Sequence, residues 1–121
     1  MATVLIVDDS SYARRVHRGI LEAAGYTVIE AATGTAAIES FTLDRPDVVV
    51  LDLSMEDIGG IDVLRTLREI DPASRVIVVS ADVQKSTAQS VMAAGANRFL
   101  PKPTSAGDLV AAISAAAGNT V

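Results

Sequence analysis

Residues 4–11 read VLIVDDSS, four apolar positions running straight into Asp8 and Asp9. Apolar residues at every position, rather than at every second one, predict a strand buried on both faces. Four further apolar stretches follow: YTVIEA (26–31), DVVVL (47–51), RVIVVSA (75–81) and NRFL (97–100). Between them the apolar spacing lengthens to three and four residues. Ala13, Val16, Ile20 and Ala24 predict a first helix, stopped by Gly25. TGTAAIESFTLDRP (33–46) predicts a second, ending before Pro46. Ile61, Leu64, Leu67 and Arg68 within IDVLRTLREIDP (61–72) predict a third, with Pro72 beyond its end. DVQKSTAQSVMAAG (82–95) predicts a fourth, ending at Gly95. TSAGDLVAAISAAAG (104–118) predicts a fifth, with Thr104 as N-cap and Leu109, Val110 and Ile113 on its apolar side.

Strand and helix thus alternate five times. That order predicts a parallel sheet with helices on both faces and right-handed crossovers. There is no repeat of fixed period and no low-complexity tract, so residues 1–121 read as one domain. A chain of this length buries roughly two-thirds of its unfolded surface, enough for one core without staples. The tail GNTV (118–121) reads as a frayed end or the start of a linker.

Composition narrows the function. Fifteen acids against ten bases give a net charge of -5, which argues against direct nucleic-acid binding. The absence of cysteine excludes disulfides and thiolate metal sites, and suits a cytoplasmic location. Tyr12, Tyr26, Phe41 and Phe99 are too few for a base-stacking platform or a flavin pocket. No apolar stretch approaches the roughly 18 residues that cross a bilayer, and the chain opens on a strand rather than a secretory leader. Membrane insertion is not expected. Lysine occurs only at positions 85 and 102.

In open α/β sheets, ligands bind outside the carboxyl ends of the strands. Asp8 and Asp9 follow the first predicted strand, Asp52 ends the third, Ser80 ends the fourth and Lys102 follows the fifth. The second offers only Ala31, Ala32 and Thr33. If the strand order is 2-1-3-4-5, the first and third strands are neighbours and the three acids share a pocket. Two unit charges about 5 Å apart cost about 3 kcal/mol at an effective dielectric near 20, so three acids call for a cation. All-oxygen ligands suit Mg²⁺. With an ammonium and a hydroxyl opposite, such a pocket is built to stabilise a phosphoryl group in transfer. Taken singly, each residue has a plainer use: the acids and Ser80 as turn or cap residues, Lys102 as a surface charge. The joint pattern at four of five strand ends carries the argument.

Over its whole length the chain resembles the receiver domain of bacterial response regulators. The motifs that carry the resemblance are VDD (7–9), LDLSMEDIGG (51–60), VVSA (78–81) and FLPKP (99–103). The resemblance implies a flavodoxin-like (βα)5 fold with strand order 2-1-3-4-5. It implies Asp52 as phosphoacceptor, Asp9 as a direct Mg²⁺ ligand with Asp8 acting through water, and the Ser54 backbone carbonyl as a further ligand. Ser80 would be the switch hydroxyl, Phe99 the switch aromatic and Lys102 the contact to phosphoryl oxygens, with Lys102–Pro103 commonly cis. The implied function is a phosphorylation-dependent switch. It takes its phosphoryl group from a histidine kinase or phosphotransfer protein, or from a small acyl phosphate. It assists its own phosphorylation and dephosphorylation rather than turning over a substrate as an enzyme, and it alters partner binding through helix four, strand five and helix five.

Two departures stand out. Glu56 replaces the proline usual in the family, which predicts a more flexible loop and one more negative charge. Phe99 lacks a tyrosine hydroxyl, so its rotamer rests on packing. The resemblance implies that Ser54 and Asp82 hold the positions that commonly tune phosphoaspartate hydrolysis in the family. His17, the only histidine, is read as a packing or surface residue. Arg14, Arg15 and Arg18 are read as an exposed basic run, either a solvated face or a kinase-docking one. The polar fourth helix, with Gln84, Lys85, Ser86, Thr87 and Gln89, fits an output surface. Three other classes compete. A flavin carrier would need a Ser/Thr/Gly-rich loop where the adjacent acids stand. An aspartyl hydrolase would place its acids as D-x-D. A pseudo-receiver would bind partners without phosphate.

Overall fold

The apolar runs form five short strands: β1 (Thr3–Val7), β2 (Thr27–Ala31), β3 (Val48–Asp52), β4 (Val76–Ser80) and β5 (Arg98–Pro101). The helically spaced segments form α1 (Ser11–Ala23), α2 (Gly34–Asp44), α3 (Gly60–Ile70), α4 (Lys85–Ala93) and α5 (Ala106–Ala116). The computed structural model describes residues 2–54 and 57–118. The expectations for Glu56 and for the tail beyond Gly118 lie outside the described residues.

All neighbouring strands pair in parallel, in the order β2-β1-β3-β4-β5. Each strand alternates its side chains between two apolar layers, which is why the runs are continuous. Leu5, Val7, Val49, Leu51, Val76 and Val78 pack with Phe41 of α2, Leu64 and Leu67 of α3 and Val91 of α4. Val4, Ile6, Val48, Val50, Ile77 and Val79 pack on the other side with Leu21 of α1 and Leu109, Ala112 and Ile113 of α5. Leu64 and Leu109 are fully buried, one in each layer. Leu64→Ala and Leu109→Ala are each expected to cost about 2–5 kcal/mol, as a shifted urea midpoint with unchanged slope.

Local signals set the helix ends. The Ser10 hydroxyl accepts from the Ala13 N–H at 3.1 Å to open α1, and the Thr33 hydroxyl from the Ala36 N–H at 3.0 Å to open α2. The cap of α5 is Ser105, not Thr104: its hydroxyl accepts from the Asp108 N–H at 3.1 Å. The predicted stripe of α1 also needs correction. The buried positions are His17 and Leu21, while Val16 is 40% exposed and Ala24 is exposed. The buried face lies about one position further along the helix and includes the His17 ring. In α3 the inward set is Val63, Leu64 and Leu67, with Ile61 and Arg68 half-buried at its margins. No helix among the described residues is long and apolar enough to cross a membrane.

Candidate functional site

The strand order brings the acids together. Val7 of β1 lies opposite Leu51 of β3, so the next residue of each strand, Asp8 and Asp52, reaches the same end of the sheet. Asp8 is 2% exposed and Asp52 6%, whereas Asp9 is exposed. Carboxylate oxygens of all three lie within 4.8 Å of one another. Lys102, just past β5, reaches across: its Nζ lies 2.7 Å from Asp8 Oδ2 and 3.4 Å from Asp52 Oδ2. The Ser10 N–H donates to Asp8 Oδ1 at 2.9 Å, and the Ser54 N–H to Asp52 Oδ1 at 3.2 Å.

Electrostatics follow from this crowding. Burial pushes the Asp52 carboxyl above its ordinary range, and the charge of Asp8 adds to the effect. The Ser54 N–H and Lys102 oppose the shift without cancelling it. Burial alone would lower the Lys102 ammonium, but its bond to Asp8 and the charges of Asp52 and Asp8 hold it above its ordinary value. Three carboxylates against one ammonium leave an excess of negative charge on oxygen ligands. That donor set fits a hard divalent cation.

The other expected residues surround this cluster. Ser80 is buried at the end of β4, where its Oγ accepts from the Asp82 N–H at 3.0 Å. The Lys102 N–H donates to the Ser80 carbonyl at 2.9 Å, fixing one strand end to the other. The Lys102–Pro103 bond is cis. Phe99 is half-buried against the layer that holds α2, α3 and α4. Ser54 is exposed beside Asp52. At the N-cap of α4 and within it, Gln84, Lys85, Ser86 and Gln89 are exposed and Thr87 is half-buried.

Sequence reasoning missed a second layer of contacts. Arg14 is not part of an exposed run: its Nη1 donates to the Asp8 backbone carbonyl at 2.6 Å, and its Nε to Glu30 Oε1 at 3.0 Å. Arg18 Nη1 meets Glu30 Oε2 at 2.6 Å, holding that carboxyl below its usual range. Only Arg15 of the three stays exposed without an ion pair among the described residues. The missed signal was Glu30, an acid inside a strand, with arginines four apart on the preceding helix. His17 is buried, and burial followed by the charge of Lys102 lowers its pKa. Its packing role agrees with expectation.

Comparison with known proteins points the same way. The family model for the response regulator receiver domain matches residues 4–114. The chemotaxis protein CheY of Thermotoga maritima is 37% identical over 112 residues, covering 92% of this chain and 93% of that protein. The transcriptional regulatory protein KdpE of Mycobacterium tuberculosis is 40% identical over 116 residues, covering 96% of this chain but 51% of KdpE. Among solved structures, a receiver domain protein from Clostridium thermocellum superposes with a TM-score of 0.93 at 32% identity, covering 98% of this chain and 96% of that one. A chain in the CheX-CheY-BeF3-Mg+2 complex from Borrelia burgdorferi gives 0.89 at 29% identity, covering 94% and 87%. The pocket of Asp8, Asp9 and Asp52 fits a phosphoacceptor site. This chain belongs to the receiver domains of two-component response regulators.

Proposed function

We propose that residues 1–121 act as one phosphorylation-dependent switch, with Asp52 as the phosphoacceptor. The observation that carries the reading is Asp52 itself: a carboxylate buried at the end of β3, 3.4 Å from the Lys102 ammonium and inside a three-acid cluster. An Asp52 oxygen attacks the phosphorus of a histidine kinase phosphohistidine or of a small acyl phosphate. The P–N or P–O bond to the donor breaks, and the electron pair leaves with the imidazole or carboxylate. Asp8, Asp9, Asp52 and the Ser54 carbonyl would hold Mg²⁺, which supplies positive charge to the phosphoryl oxygens. Lys102 supplies the rest, from a position already beside the acceptor.

The switch follows from groups now engaged elsewhere. The Ser80 hydroxyl, which accepts from the Asp82 N–H, turns to donate its O–H to a phosphoryl oxygen, and Phe99 turns inward behind it. Moving from 1:99 to 99:1 in favour of the active form needs about 5.5 kcal/mol. A few charge-assisted hydrogen bonds at roughly 1.5–3 kcal/mol each supply that. The face of α4, β5 and α5 then changes its preference for a downstream protein. The domain is regulatory and acts only on its own phosphoryl group. Cytoplasmic residence belongs to the same reading, and a chain without cysteine is indifferent to a reducing compartment. No observation favours the pseudo-receiver.

Intact mass after incubation with Mg²⁺ and a small acyl phosphate tests this. One phosphoryl group is expected, lost when a chelator is present. No gain, together with no conformational response to beryllofluoride, would overturn it.

A further inference from the structure

The connection from β3 to α3 carries the residues next to Asp52, and it is fastened to a helix that takes no part in the acid cluster. Asp57 Oδ1 accepts from the Gly34 N–H at 2.9 Å. Its Oδ2 accepts from the Thr35 N–H at 3.0 Å and from the Thr35 hydroxyl at 2.9 Å. These are first-turn donors of α2, which a helix cannot satisfy internally. The hydroxyl of Thr33, the helix's own cap, accepts from the Ala36 N–H. The N–H groups of Thr35 and then Gly34 hold the Asp57 carboxyl well below the usual range. The positive end of the helix favours the same charge.

A second observation, of shape, is independent of these bonds. A Cβ on Gly34 would lie 2.9 Å from Val63 Cγ2 and 3.0 Å from Ile58 Cβ. The start of α2 therefore presses directly on the connection and on α3. At the base of the same connection, a Cβ on Gly60 would meet the Leu53 backbone at 2.5 Å, and the Gly60 N–H donates to the Leu53 carbonyl at 3.3 Å. Leu53 is thus held to Gly60 at the base of the connection, and Asp57 is tied to the first turn of α2.

We propose that Asp57 is a positioning residue for the cation-binding edge of the site: by fastening the β3–α3 connection to the first turn of α2, it holds Ser54 against Asp52. The inference rests on the proposed role of the Ser54 carbonyl as a Mg²⁺ ligand. It makes α2 a structural support of the phosphorylation site.

Calorimetric titration of the full chain with Mg²⁺ tests the inference, alongside amide hydrogen exchange. Asp57→Ala is expected to weaken Mg²⁺ binding about tenfold and to speed exchange at Gly34, Thr35 and Ser54. Gly34→Ala, which leaves the carboxylate intact but pushes the surfaces apart, should weaken binding in the same direction. Ile113→Val, a trim in the far layer, should lower stability and leave Mg²⁺ affinity unchanged. Equal affinity in wild type and Asp57→Ala, with unchanged exchange at Ser54, would overturn the inference alone. Failure of wild type itself to bind Mg²⁺ would overturn the proposed function and the inference with it.

Discussion

Asp52→Asn is expected to gain no phosphoryl group under conditions that label wild type, and to fold more stably than wild type in chelator at neutral pH. The first effect is the loss of the attacking oxygen; equal, stable labelling of the variant would reject the assignment. The second comes from charge. The ordinary carboxyl value is 3.8, and burial raises Asp52 above it in the folded chain. A raised folded pKa means that the stabilising contribution is complete below 3.8 and is lost as pH rises through the folded value. At neutral pH the buried charge therefore costs stability. Two carboxylates about 5 Å apart repel by about 3 kcal/mol at an effective dielectric near 20, and Lys102 offsets part, leaving a gain on the order of 1 kcal/mol in the variant. The gap should close as pH falls through the folded pKa toward the ordinary value. Urea unfolding of both proteins between neutral pH and pH 4 measures it; a gap that does not change with pH would mean that Asp52 carries no buried charge.

Lys102→Met should separate phosphoryl transfer from cation binding. Methionine keeps most of the apolar stem and removes the ammonium. Labelling by acyl phosphate is expected to slow about 10²–10³-fold, the usual loss when one preorganised charge is removed from developing negative charge. Mg²⁺ binding should instead tighten, by at least about tenfold, because the ammonium 2.7 Å from Asp8 competes for the same oxygens. In chelator the variant loses about 3 kcal/mol, since Asp8 and Asp52 are left buried without their cation. Added Mg²⁺ should restore most of it. Tight Mg²⁺ binding with normal labelling would remove Lys102 from the transfer step.

The alternation of strand and helix, the double burial of the strands and the polar groups at their carboxyl ends were all legible in the sequence. Periodicity reports which face of an element is apolar, and strands buried on both faces leave no polar gaps. The chain could also be read against its family, because VDD, LDLSMEDIGG, VVSA and FLPKP keep their spacing. Period says nothing about which strands are neighbours. Only the order β2-β1-β3-β4-β5 brings Asp52 beside Asp8, and carries Lys102 to a carboxylate 94 residues earlier. The same limit hid the Arg14–Glu30 pair behind Asp8 and the bonds of Asp57 to Gly34 and Thr35, 23 and 22 residues apart. Nor could spacing choose Ser105 over Thr104 as a cap, which depends on where the backbone turns into the helix. For His17 the sequence left packing and surface roles open, because the burial of a polar ring is decided by what packs over it. The sequence by itself determined the elements and the chemical groups at the strand ends. The tertiary structure decided which of those groups meet, because that depends on the path of the chain between them.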